Sequence, residues 1–359
     1  MKLAFKPDFQ EAAERWSAFW KGEGLERPLL AVILPKEGVT PVAKPGYLSG
    51  YDGDYERVIN QVLAWADTHE FLAEAIPFYQ VEFGPDHFSA LLGADLHKNP
   101  ASGDTSWCMP FVDNWDSVEI KFRPDSKWWK QTVEFIRALR AHCDGKLLPT
   151  APTLVAGLDC LAAIRGVENL LLDLITVPDK IKMALQAVCH AYEEIVKAFN
   201  VELDYQQNGS ITRHGMYSPG IINVPQCDFS CMISPDMFQE FGAPCLQYEA
   251  SVLDHAEYHL DGPGALKHLE AVCSIPGISV IQWQPGAGEA AQRDWFDLYK
   301  RIDRLSTGQI LGGNKSRIVS LASELKSPRL FFTAGGLSRE EVDELLIELE
   351  RCWSPLPPA

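Results

Sequence analysis

His259 and Asp261 stand two apart in Ala256 to Leu269, AEYHLDGPGALKHL. Side chains alternate along a strand, so this imidazole and carboxylate share one face while Tyr258 and Leu260 take the other. Gly262, Pro263 and Gly264 break the strand and lead into a helix start carrying Leu266 and Leu269. Both polar groups therefore fall at a strand's carboxyl end just before a βα loop, where α/β sheets and barrels do their chemistry. Two ionisable groups on one strand face are costly to bury without a purpose; the competing reading is a core histidine hydrogen-bonded to Asp261. Two kinds of chemistry suit the pair. His259 can move a proton at a substrate oxygen or nitrogen while Asp261 fixes its tautomer, or both can ligate a divalent ion such as zinc, manganese or iron. Two ligands are too few for a metal. Asp228, in the loop before a capped helix at 234 to 250, is the best third, with capping or a loop hydrogen bond as its alternative role.

Other residues group around this stretch. Gln282 and Gln284 share one parity of ISVIQWQPG and point into a barrel mouth, where their amides can recognise a neutral polar ligand, while Trp283 packs. Asp159 and Arg165 are six apart on a turn and helix start, an ion pair of structural or substrate-orienting kind. GSITRHGMY (209 to 217) alternates as a strand, so Tyr217 faces Arg213 and offers a hydroxyl at a strand end near His214. Tyr79, Trp107 and Trp115 are candidate pocket walls for a flat ligand, although most aromatics pack. Cys227 and Cys231 have no ligand histidine nearby and read as inert.

The elements that must position these groups alternate. A helix with Phe9, Ala13, Trp16 and Trp20 at helical spacing precedes the apolar strand LLAVILP, closed by Pro35; Asp54 to Leu72 reads as a helix and Ile76 to Phe83 as a strand. A long loop or small hairpin at about 84 to 125 follows. Then come a helix with Trp129, Val133, Ile136, Leu139 and Cys143, the strand KLLPTAP, a helix from Asp159 to Leu174, and a long helix from Pro178 to about Asn200. Ser234-Pro235 is a helix start, an N-cap serine with proline in the first turn. After the central stretch, ISVIQWQPG, GQILGGN and RLFFTAGG read as strands separated by helices, and the last helix opens on a capping box, Ser338 to Glu341. About eight strands alternate with helices. The pattern predicts one (β/α)8 TIM barrel over residues 1-359, with extra N-terminal helices and a long inserted loop.

Charge and composition narrow the class. The net charge is -17, from 49 acidic and 32 basic residues, which argues against nucleic acid or an anionic membrane as partner and leaves a small-molecule substrate as the default. The nine cysteines form no CxxC pair, which fits a reducing cytoplasm rather than a disulfide framework. No apolar run reaches the length of a membrane span, and the N-terminus has no secretory pattern.

GLDCLAAIRG (157 to 166), CDFSCMISPDMFQEFGAP (227 to 244) and YHLDGPGALKHL (258 to 269) resemble the uroporphyrinogen decarboxylase superfamily, in its decarboxylase-like branch near the corrinoid (methylcobamide-dependent) methyltransferases. The likeness runs through nearly the whole chain. It implies a barrel with its site at the strands' carboxyl ends, and an enzyme that transfers a methyl (C1) group with a corrinoid, cobalamin-type cofactor on a partner protein. The arginine-bearing N-terminal segment of the decarboxylases has no counterpart in Arg15, Arg27 and Arg57. The methyltransferases carry His-x-Cys on the strand at 258 to 262 and a further late Cys, together holding zinc. Here His259 is present, Asp261 replaces the first Cys, and TAGG (333 to 336) has no thiol. Three readings stay open: the methyltransferase, a decarboxylase or other lyase acting on a carboxylated substrate, and a catalytically silent binding barrel.

Overall fold

A computed structural model describes residues 2–98 and 105–356. Its centre is a mostly parallel sheet of seven strands, ordered His69–Ala73, Leu29–Pro35, Leu330–Ala334, Gly308–Gly312, Ile278–Gln284, His255–Asp261 and Ile222–Asn223. Only the first pairing is antiparallel. Phe78–Gln80 and Leu148–Thr150 form a separate parallel pair, tied to the next segment where Thr150 donates to the Ile211 carbonyl at 2.7 Å. The architecture is α/β and TIM-like; among the described residues the hydrogen-bonded ladder does not close on itself.

Alternation decides which side chains face inward. In His255–Asp261 the residues Ala256, Tyr258 and Leu260 are buried against the helices, each contributing roughly 1 to 3 kcal/mol of apolar burial. That burial locks the register, because a slip of one residue would drive His255, Glu257, His259 and Asp261 into the helix layer. In the neighbouring strand Trp283 likewise turns outward, buried edge-to-face on Trp295 at 5.0 Å, which leaves Gln282 and Gln284 on the inner parity.

Several local signals hold. Ser234 accepts from Met237 N at 3.2 Å, and Ser338 with Glu341 forms the reciprocal capping box. The segment 84 to 125 contains the short buried helix His87–Leu91 and the hairpin of Leu96–Lys98 with Ser106–Cys108; its residues 99–104 lie outside the described residues. The helix read from Asp159 to Leu174 is two, Gly157–Arg165 and Val167–Thr176, divided at Gly166 with φ +89°.

One expectation fails with consequences for the site. GSITRHGMY is not a strand: Ser210–Ile211 and Tyr217–Ser218 are the two arms of a hairpin. The chain reverses at Gly215, φ +83°, whose N–H donates to the Thr212 carbonyl at 2.9 Å. Beyond that turn strand parity no longer links Tyr217 to Arg213.

Candidate functional site

His259, Asp261 and Asp228 converge. One ligand atom from each lies within 4.8 Å of the others, a group able to hold a metal ion. The two strand residues are placed by parity, and Asp228 by a loop that this strand organises. His259 N donates to the Pro225 carbonyl at 3.1 Å, bringing 225–228 alongside. Asp159, in the first turn of Gly157–Arg165, then accepts from Asp228 N at 2.8 Å and Phe229 N at 2.7 Å. From the other side the turn Pro263–His268 packs on Asp228–Met232, where His268 Nε2 meets the Ser230 carbonyl at 2.9 Å and Lys267 donates to the Cys231 carbonyl at 3.0 Å. Gly264 approaches so closely that an added Cβ would lie 3.0 Å from that of Cys231.

The state of His259 follows from its neighbours. Its Nδ1 bonds the side-chain oxygen of Gln282, the adjacent residue in register. An amide oxygen only accepts, so Nδ1 carries the proton and Nε2 keeps its lone pair. Burial, then the positive charge of Arg213, push the imidazole pKa down to about 4, so the ring is neutral near pH 7. Asp228 keeps an exposed edge, yet the desolvation of its carboxylate by the surrounding chain and then repulsion from Asp261 push it up to about 6. Asp159 is pushed up to about 7, by burial and then by Asp228. Asp261 is raised by burial against the pull of Arg213. Crowded carboxylates beside a bare imidazole nitrogen describe a place that gains from a cation.

A second layer supports the first. Glu257, 0% exposed, lies two residues before His259 on the same strand face. Burial raises its pKa, but its interaction with His214, then Thr212 and Arg213, outweighs that and holds it low. It bonds His214 Nδ1 and accepts from Thr212 at 2.9 Å. The ring of His214 lies 5.9 Å from that of His259 at 22°. Arg213 donates from Nε to His214 Nε2 at 3.3 Å and from Nη2 to Gln226 Oε1 at 3.0 Å, and Gln226 Nε2 donates to Asp228 at 3.0 Å.

The remaining sequence-predicted residues divide. Gln282 is at the site, orienting His259 rather than left free for a ligand, and Asp261 is not the group that fixes the tautomer. Gln284 is exposed at the mouth, in register with Asp261. Asp159 is present as the clamp of the Asp228 loop. Arg165 does not pair with Asp159: it holds Asp173 at 2.7 Å and the Val112 and Asp113 carbonyls, a structural role set by Asp173 lying eight residues on, across Gly166. Tyr217 is not brought to the group. Beyond the hairpin reversal it is buried against Phe9, and its hydroxyl donates to the Asn208 carbonyl at 3.1 Å. Trp107 stands 46% exposed on the hairpin arm. Tyr79 is buried and Trp115 is bonded to Asp173, so both serve packing. Cys227 is buried, its thiol raised by burial and nearby carboxylates, and Cys231 is exposed.

Glu257 was accessible to strand parity, being two residues from His259. Gln226 had no such signal, because its role depends on the fold bringing Arg213 and Asp228 to its two ends. Cavities of about 480 and 400 Å³ open elsewhere, beside Arg137 and Gln207 and beside His69 and Arg339. They lack the convergence of ligand atoms that marks the Asp228 group, and chemistry rather than volume decides between them.

The course of the chain, with its site at the sheet's carboxyl edge, can now be set beside known proteins. It is similar in fold to a methyltransferase. That solved structure, a methyltransferase from Methanosarcina mazei, superposes with a TM-score of 0.60 over 95% of this chain and 98% of its own, at 13% identity. At that identity the likeness speaks for the fold. No protein-family model matches the chain, and no curated protein does. No helix among the described residues is long and apolar enough to cross a membrane.

Proposed function

We propose that this chain is a metal-dependent enzyme on a uroporphyrinogen decarboxylase-like (β/α)8 barrel, transferring a methyl (C1) group of a small molecule in partnership with a corrinoid protein. In this reading Phe78–Gln80, Leu148–Thr150 and Ser210–Ile211 join Leu29–Pro35, His255–Asp261, Ile278–Gln284, Gly308–Gly312 and Leu330–Ala334 as the eight barrel strands, and residues 1-359 form one domain. The observation that carries the reading is the convergence of Asp228, His259 and Asp261 at the carboxyl end of the strands, supported by a methyltransferase fold neighbour spanning nearly the whole chain.

The donor set fits a divalent metal: two carboxylates and an imidazole whose lone pair is bare suit zinc, manganese or iron. When bound, such an ion would supply Lewis-acid polarisation of a substrate oxygen or nitrogen. The set is harder than the thiolates expected of the zinc methyltransferases, so the donor or acceptor atom is oxygen or nitrogen rather than an activated thiol. The chain's own residues do the rest. Gln282 holds the His259 ring, Asp159 holds Asp228 in place, and Gln284 lies in register beside Asp261. His214 is held by Glu257 through Nδ1 and accepts from Arg213 on Nε2, so it fixes the guanidinium beside the site.

A second reading, a decarboxylase or other lyase on a carboxylated substrate, draws on Arg213 in the site. The arginines near the N-terminus do not serve it: Arg27 and Arg15 hold buried Glu74 at 2.9 and 2.6 Å, and Arg57 holds Asp54. The test incubates zinc- or manganese-loaded protein anaerobically with reduced corrinoid and a panel of O- and N-methylated small molecules, followed by the absorbance of methylated corrinoid. Methylcorrinoid formed by the wild type and not by His259→Ala supports the transferase. Carbon dioxide release without methylation supports the lyase, and neither activity leaves a binding protein.

A further inference from the structure

Arg213 is surrounded by carboxylates and salt-bridged to none of them. Its charge acts on Asp228, Asp261 and Glu257, yet its hydrogen bonds go to neutral acceptors, Gln226 Oε1 and His214 Nε2. The nearby acids have other partners. Glu257 takes Thr212 and His214, and Asp228 takes Gln226 Nε2. Gln226, 6% exposed, is thereby a spacer whose oxygen faces the guanidinium and whose nitrogen faces the carboxylate. Direct Arg213–Asp228 pairing would have been the simpler way to neutralise both. Nη1 has no hydrogen-bond partner among the described residues and is not among the buried polar atoms left without one, so solvent reaches it. The result is a guanidinium pinned on two of its nitrogens with its third open to solvent.

We propose that Arg213 is a carboxylate-binding residue, receiving the anionic end of the substrate beside the Asp228, His259 and Asp261 group; this rests on the reading of that group as the active site. The two N–H groups of Nη1 and the second N–H of Nη2 remain as coplanar donors for a carboxylate, an arrangement that a lysine ammonium cannot reproduce. The neighbouring Asp228, Asp261 and Glu257 favour a singly charged carboxylate over a dianionic phosphate, which they would repel more strongly. The chemical class of substrate is then a small carboxylic acid whose other end offers the reacting oxygen or nitrogen. The residue orients the substrate, and no bond changes at it.

The test is calorimetric titration of acetate, and separately of inorganic phosphate, into metal-free and zinc-loaded full-length protein, comparing wild type with Arg213→Gln and Arg213→Lys. Expected is acetate binding that weakens about tenfold or more in Arg213→Gln under both conditions, with Arg213→Lys restoring only part of it. Retained zinc stoichiometry in the variants reports that Asp228, His259 and Asp261 keep their arrangement. Should Arg213→Gln fail to fold, Gln226→Leu, which leaves the guanidinium but removes one pin, is expected to weaken acetate several-fold. Acetate binding equal in wild type and variants, phosphate bound more tightly than acetate, or no anion bound by the wild type would overturn the proposal. Because binding is read without turnover, a failed methyl-transfer assay with Arg213-dependent acetate binding would count against the transferase and leave this inference standing.

Discussion

His259 donates its Nδ1–H to the side-chain oxygen of Gln282 on the adjacent strand, which leaves Nε2 as the ring nitrogen with a free lone pair. The relationship predicts a metal-affinity effect from a residue that touches no metal. Gln282→Leu removes the acceptor and frees the ring to flip or change tautomer, and loss of such a partner is worth about 10- to 100-fold in affinity. Gln282→Glu keeps an acceptor and should bind zinc at least as tightly as wild type. Competition titration against a chromogenic chelator reads both; equal affinity in Gln282→Leu would remove Gln282 from its assigned role.

His259 itself should be the most damaging single loss in turnover. Removing a group that places a metal or moves a proton costs on the order of 10² to 10⁴ in rate, about 3 to 5 kcal/mol in kcat/KM. Asp261→Asn should leave the fold intact and cost less, since one carboxylate remains. An unchanged kcat/KM in His259→Ala would shift the account to a binding protein.

Tyr217 supplies the contrasting case. Its hydroxyl bonds a backbone carbonyl in the hairpin, so Tyr217→Phe should cost about 1 kcal/mol of stability and leave kcat/KM as in wild type. Urea unfolding together with the activity assay separates the two roles; a fall in kcat at unchanged stability would restore Tyr217 to the site.

Glu74 anchors the N-terminal arginines and sets an acid limit. Burial alone would raise its pKa, but the Arg27 hydrogen bond and charge, then Arg15, outweigh it and hold it below the ordinary 4.5. Its folded value is depressed, so its stabilisation is present above about pH 4.5 and is lost as pH falls through the lower folded value. Glu74→Gln leaves Arg27 buried without its counter-charge and should destabilise by roughly 3 to 5 kcal/mol at pH 7. The deficit should shrink on acidification in denaturant melts; a deficit constant from pH 7 to pH 3 would contradict the assignment.

The parts of the site carried by strand alternation were legible in the sequence. His259 and Asp261 on one face, Trp283 turned out and Gln282 turned in all follow from period two beside buried neighbours. The Ser338 and Ser234 caps were legible for a similar reason, being local chemistry. What required the fold was any relation set by a change of chain direction. The reversal at Gly215 put Tyr217 in the core, although SITRHGMY alternates as a strand does. Likewise the spacing of Asp159 and Arg165 suggested a pair, while the break at Gly166 gave Arg165 a different carboxylate in Asp173. Eight strands were expected; the ladder links six parallel strands and the antiparallel His69–Ala73, which the sequence read partly as helix, while the segments at 78–80 and 148–150 pair with each other and not with the main sheet.

The claim on which the rest depends is that Asp228, His259 and Asp261 hold a divalent metal. Elemental analysis of protein purified without chelator, then dialysed against micromolar zinc, manganese or iron(II), tests it directly when run beside the Asp228→Asn, His259→Ala, Asp261→Asn triple variant. Expected are about one ion per chain in the wild type and none in the variant, with wild-type affinity higher at pH 8 than at pH 5, since a carboxylate raised to about 6 must lose its proton to bind. Stoichiometric metal retained by the triple variant, or no metal taken up by the wild type from any of the three ions, would contradict it.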